Sequence, residues 1–149
     1  MLPDIEKVFV FVMTGGFYHK LVLHSFLGAG TLGTFLSVLV TVFLYPTFVS
    51  FIFKIDKENI REKCRFSLTL ILTCFFGCAS HVLVDSLHHE FNPLVYPFTN
   101  ESFDMFLLFG DWNHATVLIQ TVLLTLSILT LFLELRKGTK GFWKRTLVG

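Results

Sequence analysis

The segment at residues 80–90, SHVLVDSLHHE, places three histidines, an aspartate and a glutamate at the end of an apolar stretch. On a helix, His81 and Asp85 are one turn apart. His88 and His89 follow Asp85 by three and four residues, so imidazole, carboxylate and imidazole groups share one face. These groups are ligands for divalent cations such as zinc, and a site with an open coordination position can activate water. The spacing indicates a metal site, and a simple hydrogen-bonded pair at a helix end is the alternative.

Further titratable residues lie near the N-terminus, at Asp4, Glu6, His19 and His24. His19 and His24 are separated by five residues, which is about 140° on a helix. Both can face the same way only if the backbone between them is irregular. At most one of them is therefore expected to share a helix face with its neighbours.

The elements that must position these groups are membrane-spanning. The 149 residues are 53% hydrophobic and include 19 phenylalanines, which is too apolar for an ordinary soluble protein. Stretches at about 27–53, 66–84 and 115–135 are long enough to cross a bilayer, and Glu134 is the one charged residue within them. We expect an all-α integral membrane protein with about three transmembrane helices.

A short apolar run near residues 8–13 predicts an additional N-terminal interfacial or half-buried helix. Residues 1–149 form a single membrane domain in this prediction.

The distribution of basic residues predicts the orientation of the spans. The loop between the first two spans contains five Lys or Arg residues, and so does the tail from Arg136, whereas residues 85–114 contain none. The positive-inside rule therefore places the loop and the C-terminus in the cytoplasm of a multi-pass plasma-membrane protein. The external loop 85–114 and the N-terminal segment then carry the His/Asp cluster on the external side.

Three short elements occur in an order that resembles a known family. They are "LPDIE", "HKLVLHS" and "SHVLVDSLHHEFNPLVYPF", spread over residues 2 to 98. This arrangement is similar to the membrane-bound metal-dependent hydrolases, which include a LexA-regulated inner-membrane protein. That family is in turn distantly similar to zinc-dependent phospholipase C. The chain departs from the family pattern in lacking the helix before the first element, and in having Lys20, Leu21 and Leu23 where Arg, Gly and Thr are usual.

The resemblance implies a set of metal ligands and an activity. The ligands it implies are Asp4, His19, His24, His81, Asp85 and His88, holding a divalent metal, with zinc expected. Water activated there would attack a phosphoester or lipid-like substrate. Glu6 or Glu90 is the expected general base, because a carboxylate near the reacting water can accept its proton.

A second class of function uses the same histidines without catalysis. A non-enzymatic membrane protein could bind a metal or a haem through them, although Asp85 beside His81 is unfavourable for haem. Membrane lipids are the expected partners in either case, and no feature indicates nucleic-acid binding. Ala29 and Gly33 form a small-xxx-small step that favours close helix packing, either within the chain or in a homo-oligomer.

Overall fold

Helices make up the regular structure of the described part of the chain. The computed structural model describes residues 4, 6, 10–13, 15, 22–103 and 107–148, and no strand occurs among them. Three helices are long and apolar enough to span a membrane: α1 (Phe26–Phe53), α3 (Leu68–Ser86) and α4 (Trp112–Arg136). Two short helices, α2 (Lys57–Lys63) and α5 (Phe142–Val148), and a 3-10 turn at Leu108–Gly110 are the other helical elements that the structure describes after Phe26. Asp4, Glu6 and residues 10–13 also have helical backbone. The predicted all-α membrane architecture is confirmed.

The long first span remains one helix although it contains Pro46. Two π-helical turns interrupt its α-helical geometry, at Ala29–Gly33 and Val40–Leu44. In the second turn the amide of Tyr45 donates to the carbonyl of Val40, five residues earlier. A wider turn just before a proline accommodates the ring and its missing amide proton. The backbone thus adapts to Pro46 through a π-helical turn and the helix continues.

Polar caps set the starts of the second and third spans. The Ser67 hydroxyl accepts a hydrogen bond from the amide of Leu70 at 3.2 Å, so α3 begins two residues later than the apolar run. Asp111 accepts from the amide of Asn113 at 2.8 Å, so α4 begins before the apolar run. Such caps satisfy amides that have no partner within the helix. The connection between α3 and α4 is therefore shorter at both ends than the predicted loop 85–114.

Small residues allow α1 and α3 to pack closely. Ala29 is fully buried in a cluster with Cys78 and Val82 of α3. A side chain added at Gly33 would lie 3.6 Å from the Cys78 sulfur, and one at Gly30 would lie 3.1 Å from the ring of Phe75. The predicted small-residue step is used within the chain, where it brings one helix backbone against the other.

The C-terminal helix α5 joins the ends of α1 and α4 that lie far from the histidines. The Tyr45 hydroxyl donates to the Leu147 carbonyl at 2.7 Å, and the Phe53 and Trp143 rings lie 4.7 Å apart. Arg145 donates to the Gly138 carbonyl at 2.6 Å and lies 3.6 Å from the Glu134 carboxylate. These contacts hold α5 at the end of the molecule that carries basic residues, away from the end that carries the histidines.

Candidate metal centre

The antiparallel packing of α1 and α3 brings the two predicted clusters together. His24 lies just before α1, and Asp85 lies in the last turn of α3. Their side chains approach to 3.7 Å, measured from His24 Nε2 to Asp85 Oδ2. Residues that are far apart in sequence therefore form one cluster at one end of the helix pair.

A tight turn at residues 22–25 holds His24 in place. The Ser25 hydroxyl donates to the Val22 carbonyl at 2.7 Å and accepts from the amide of Gly28 at 3.0 Å. The amide of Phe26 donates to the carbonyl of Leu94, which ties the turn to the segment after α3. A Cβ on Gly28 would lie 1.8 Å from the Val22 carbonyl oxygen, so only glycine fits there. Gly28 is thus a structural requirement for the position of His24.

Glu6 binds the other side of this turn and orients the His24 ring. Its carboxylate accepts from the amides of Val22 at 2.7 Å and Leu23 at 2.9 Å, and Oε2 lies 2.9 Å from His24 Nδ1. A carboxylate that accepts two amide protons is an acceptor for the ring as well, so Nδ1 carries the proton. Nε2 of His24 therefore carries no proton, and its lone pair faces the other residues of the cluster.

The environment of His24 Nε2 is suited to a cation. The atom is buried and makes no hydrogen bond to any residue that the structure describes. A buried polar atom without such a bond is costly, and a metal ligand is one of the few arrangements that compensates for it. Glu6 supplies the carboxylate that a metal-binding histidine ordinarily has on its other nitrogen.

Distances within the cluster also fit a shared cation. His81 Nε2 lies 3.6 Å from Asp4 Oδ1 and 4.0 Å from Asp85 Oδ2. With bonds of 2.0 to 2.2 Å, two ligands of one tetrahedral zinc are roughly 3.4 Å apart. Asp4, His24 and His81 each offer a ligand atom within 4.8 Å of the others. The residues present therefore fit a divalent cation.

A second group of ligands adjoins the first through Asp85. Asp85, His88 and His89 offer ligand atoms within 4.8 Å of one another, and His89 Nε2 lies 3.6 Å from Asp85 Oδ1. His88 Nδ1 donates to the carbonyl of Val84 at 2.7 Å, because a carbonyl only accepts. The lone pair of His88 is therefore on Nε2, as in His24. Asp85 Oδ2 thus lies nearest the first group and Oδ1 lies nearest His89 of the second.

Two polar residues that the sequence did not single out support the second group. The Asn92 side chain, which is 2% exposed, donates to the His89 carbonyl at 2.6 Å. Thr116 of α4 donates its hydroxyl to the His88 carbonyl at 2.7 Å. His89 itself, which was predicted only to share the helix face, joins Asp85 and His88. Nothing in the sequence indicated that Asn92 and Thr116 would contact this group, because their hydrogen bonds depend on how α4 and the segment after α3 pack.

The remaining predicted residues are placed differently. His19 lies outside the described residues. Glu90 is exposed, and its side chain makes no hydrogen bond or ion pair with another residue that the structure describes. His114 is exposed and bonds to Asp111 at 2.6 Å, away from the ligand groups. The hydrogen bonds from His114 and from the amide of Asn113 hold the pKa of Asp111 below its usual range. His114 is therefore a contact at the start of α4.

Comparison with known families places the chain as a whole. A family described as YdjM inner membrane protein matches residues 1–144, which is nearly the entire sequence. The chain belongs to the YdjM inner membrane protein family. Membership of the YdjM family and three candidate spans establish a membrane protein. The membrane part of the expected resemblance is confirmed, and the description of the YdjM family names no activity.

No curated protein and no solved structure matches the chain at a significant level.

Proposed function

We propose that this YdjM-family chain is a metal-dependent hydrolase that acts on a phosphoester or lipid-like substrate at the membrane surface. The observation that carries the proposal is the buried Nε2 of His24. Glu6 fixes its tautomer, no described residue bonds to it, and the Asp85 carboxylate lies 3.7 Å away. This arrangement stabilises a histidine that is ready to bind a cation.

Two sets of residues would hold the metal. Asp4, His24 and His81 form the first set, and His88 and His89 form the second. Asp85 contributes one oxygen to each. A bound divalent cation such as zinc lowers the pKa of coordinated water and stabilises negative charge on a phosphoryl oxygen.

The surrounding residues would position the ligands and move the proton. Glu6 is engaged by two amides and the His24 ring, so its role in this proposal is to position His24. Glu90 is exposed directly after His89, where a carboxylate can accept a proton from water. Of the two general bases predicted from the sequence, Glu90 is therefore the one retained here.

The location of the cluster supports a substrate that is itself a membrane component. The ligands lie where α1 begins and α3 ends, at the mouth of two candidate spans. The phosphate head group of a membrane lipid would reach this depth at the bilayer surface, while the apolar chains of the lipid stayed among the spans. Phospholipids and lipid-linked phosphates share this chemistry.

The carboxylates favour a hydrated cation over haem in the same place. The His24 and His81 rings lie 5.8 Å apart and are inclined by 61°. Asp85 Oδ2 lies within 4.0 Å of the Nε2 atom of each ring. A macrocycle between the two imidazoles would be forced against this carboxylate, so the structure gives no support to the haem alternative.

Elemental analysis by mass spectrometry of the detergent-purified chain tests the proposal. We expect stoichiometric zinc, manganese or iron in the parent and a drop of roughly tenfold or more in Asp85→Asn. Asp111→Asn is the matched control, since Asp111 is an acidic residue at the same end of the helices but outside both groups. Equal metal content in the parent and Asp85→Asn would refute the site.

An assay of phosphoester cleavage then separates the two classes of function. Release of phosphate or head group from phospholipid vesicles, lost in Asp85→Asn and retained in Asp111→Asn, is the expected result. Metal binding with no cleavage of soluble or lipid phosphoesters would favour the non-enzymatic metal-binding alternative instead.

A further inference from the structure

The third span α4 carries a stripe of polar residues whose middle part, at Gln120, Ser127 and Thr130, is exposed. The two ends of the stripe contact the rest of the chain, where Thr116 donates to the His88 carbonyl and Glu134 lies near Arg145. Asn113, Gln120, Ser127 and Glu134 recur at intervals of seven residues, and Thr116 and Thr130 lie on the same face. None of the residues in the most apolar part of this span is buried. The stripe therefore lies in the region where hydrocarbon would surround the helix.

Gln120 is the residue that demands a partner. It follows Trp112 by eight residues, so it lies roughly 12 Å along the helix, well inside the apolar layer. Its side chain is exposed and makes no hydrogen bond to a described residue. By contrast, the hydroxyls of Ser127 and Thr130 donate to carbonyls of their own helix at 2.8 Å. An amide in hydrocarbon is costly, so polar groups at this depth ordinarily bond to another helix.

The seven-residue spacing predicts the angle at which a second helix would cross α4. Two helices stay in contact along a 3.5-residue repeat when they cross at about 20° in a left-handed pair. The lower part of the stripe also forms one wall of an open groove of about 540 Å³. Ser127, Thr130 and Glu134 line it on α4, with Phe142 and Thr146 of α5 opposite. The groove therefore leaves the lower part of the stripe accessible beside α5.

We propose that α4 pairs with α4 of a second copy of this chain through the stripe centred on Gln120. Copies of one chain insert with the same orientation, so a two-fold axis along the membrane normal places Gln120 of each copy at the same depth. A glutamine side chain both donates and accepts, which makes it complementary to its own symmetry mate. An unrelated partner would need its own polar group at this depth, whereas a second copy has one by symmetry.

Cysteine cross-linking in membranes tests the pairing. In the chain with Cys64, Cys74 and Cys78 replaced by alanine, single cysteines are introduced at Ser127 or Thr130 on the stripe, which leaves Gln120 in place. Leu118 and Leu129 are the matched control positions, because they are also exposed and lie on the opposite face of α4. We expect iodine oxidation to give disulfide-linked dimers from Ser127→Cys and Thr130→Cys only. Equal yields at all four positions, or none at the stripe, would overturn the proposal.

A second variant tests the role of the amide. In the Ser127→Cys background, Gln120→Leu is expected to reduce the dimer yield by about fivefold, which is the effect of losing two symmetric interhelical hydrogen bonds. Thr125→Leu on the opposite face is expected to leave the yield unchanged. An unchanged yield in Gln120→Leu would show that the stripe does not hold the copies together. Metal content is measured in parallel and is expected to be the same in all variants.

Discussion

At the scale of single residues, the contacts of Glu6 distinguish positioning from catalysis. Glu6 or Glu90 is the general base expected from the sequence, and this stays a prediction. In the structure the carboxylate receives two backbone amides and the His24 ring, 18 residues away in sequence. Every one of these contacts acts on the turn that carries His24. The side chain therefore determines which nitrogen of His24 faces the cluster.

Replacing Glu6 by glutamine tests this role. Glutamine keeps the size of the side chain but has one acceptor oxygen where glutamate has two. It therefore cannot accept from the Val22 amide, the Leu23 amide and the His24 ring together, and the hold on the turn and the ring is weakened. We expect metal affinity to fall by about 10-fold to 100-fold in Glu6→Gln, measured by competition with a chelating dye. The matched control is Glu101→Gln, an exposed acid on the segment after α3. An affinity equal to that of the parent would rule out positioning of His24 by Glu6.

At the scale of elements, the junction between the turn at 22–25 and the start of α1 determines the geometry of the site. The turn is closed by Ser25 and Val22, and Gly28 packs directly on the Val22 carbonyl. No metal-ligand candidate is involved in this packing. A change at Gly28 should therefore displace His24 while all ligand side chains remain present.

Gly28→Ala is expected to destabilise the chain by about 1–3 kcal/mol, the usual effect of overpacking a close contact. Gly77→Ala in α3 is the control, since a Cβ there meets no atom within 4 Å. Alanine also favours a helix interior, so Gly77→Ala should keep or raise the melting temperature. Thermal unfolding in detergent measures both variants. A melting temperature unchanged in Gly28→Ala would show that the turn can shift without cost.

At the scale of the whole molecule, charge asymmetry predicts which end faces the cytoplasm. The packing of α1 against α3 places the candidate ligands at one end of the helix pair, while α2 and α5 lie at the other end with their Lys and Arg residues. Family membership and the three candidate spans establish a membrane protein, and the predicted orientation rests on the positive-inside rule alone.

Single cysteines measure this orientation. In the cysteine-free background, Asn100→Cys lies on the exposed segment between α3 and α4, and Asn59→Cys lies on exposed α2. We expect a membrane-impermeant maleimide to label Asn100→Cys in intact cells and Asn59→Cys only after permeabilisation. The opposite pattern would place the ligand groups in the cytoplasm and would exclude an external substrate.

The sequence by itself determined the elements and part of the site. Apolar length defined three spans, and one-turn spacing put His81 and Asp85 on one face, because both signals are local to a segment. Only the tertiary structure decided that Glu6 orients His24 and that Asp85 lies between two ligand groups. These contacts join segments that are distant in sequence, and residue spacing carries no information on how such segments pack. The close approach of α1 and α3 at Ala29 and Gly33 sets how these segments pack. This packing brings the candidate ligands within reach of one cation.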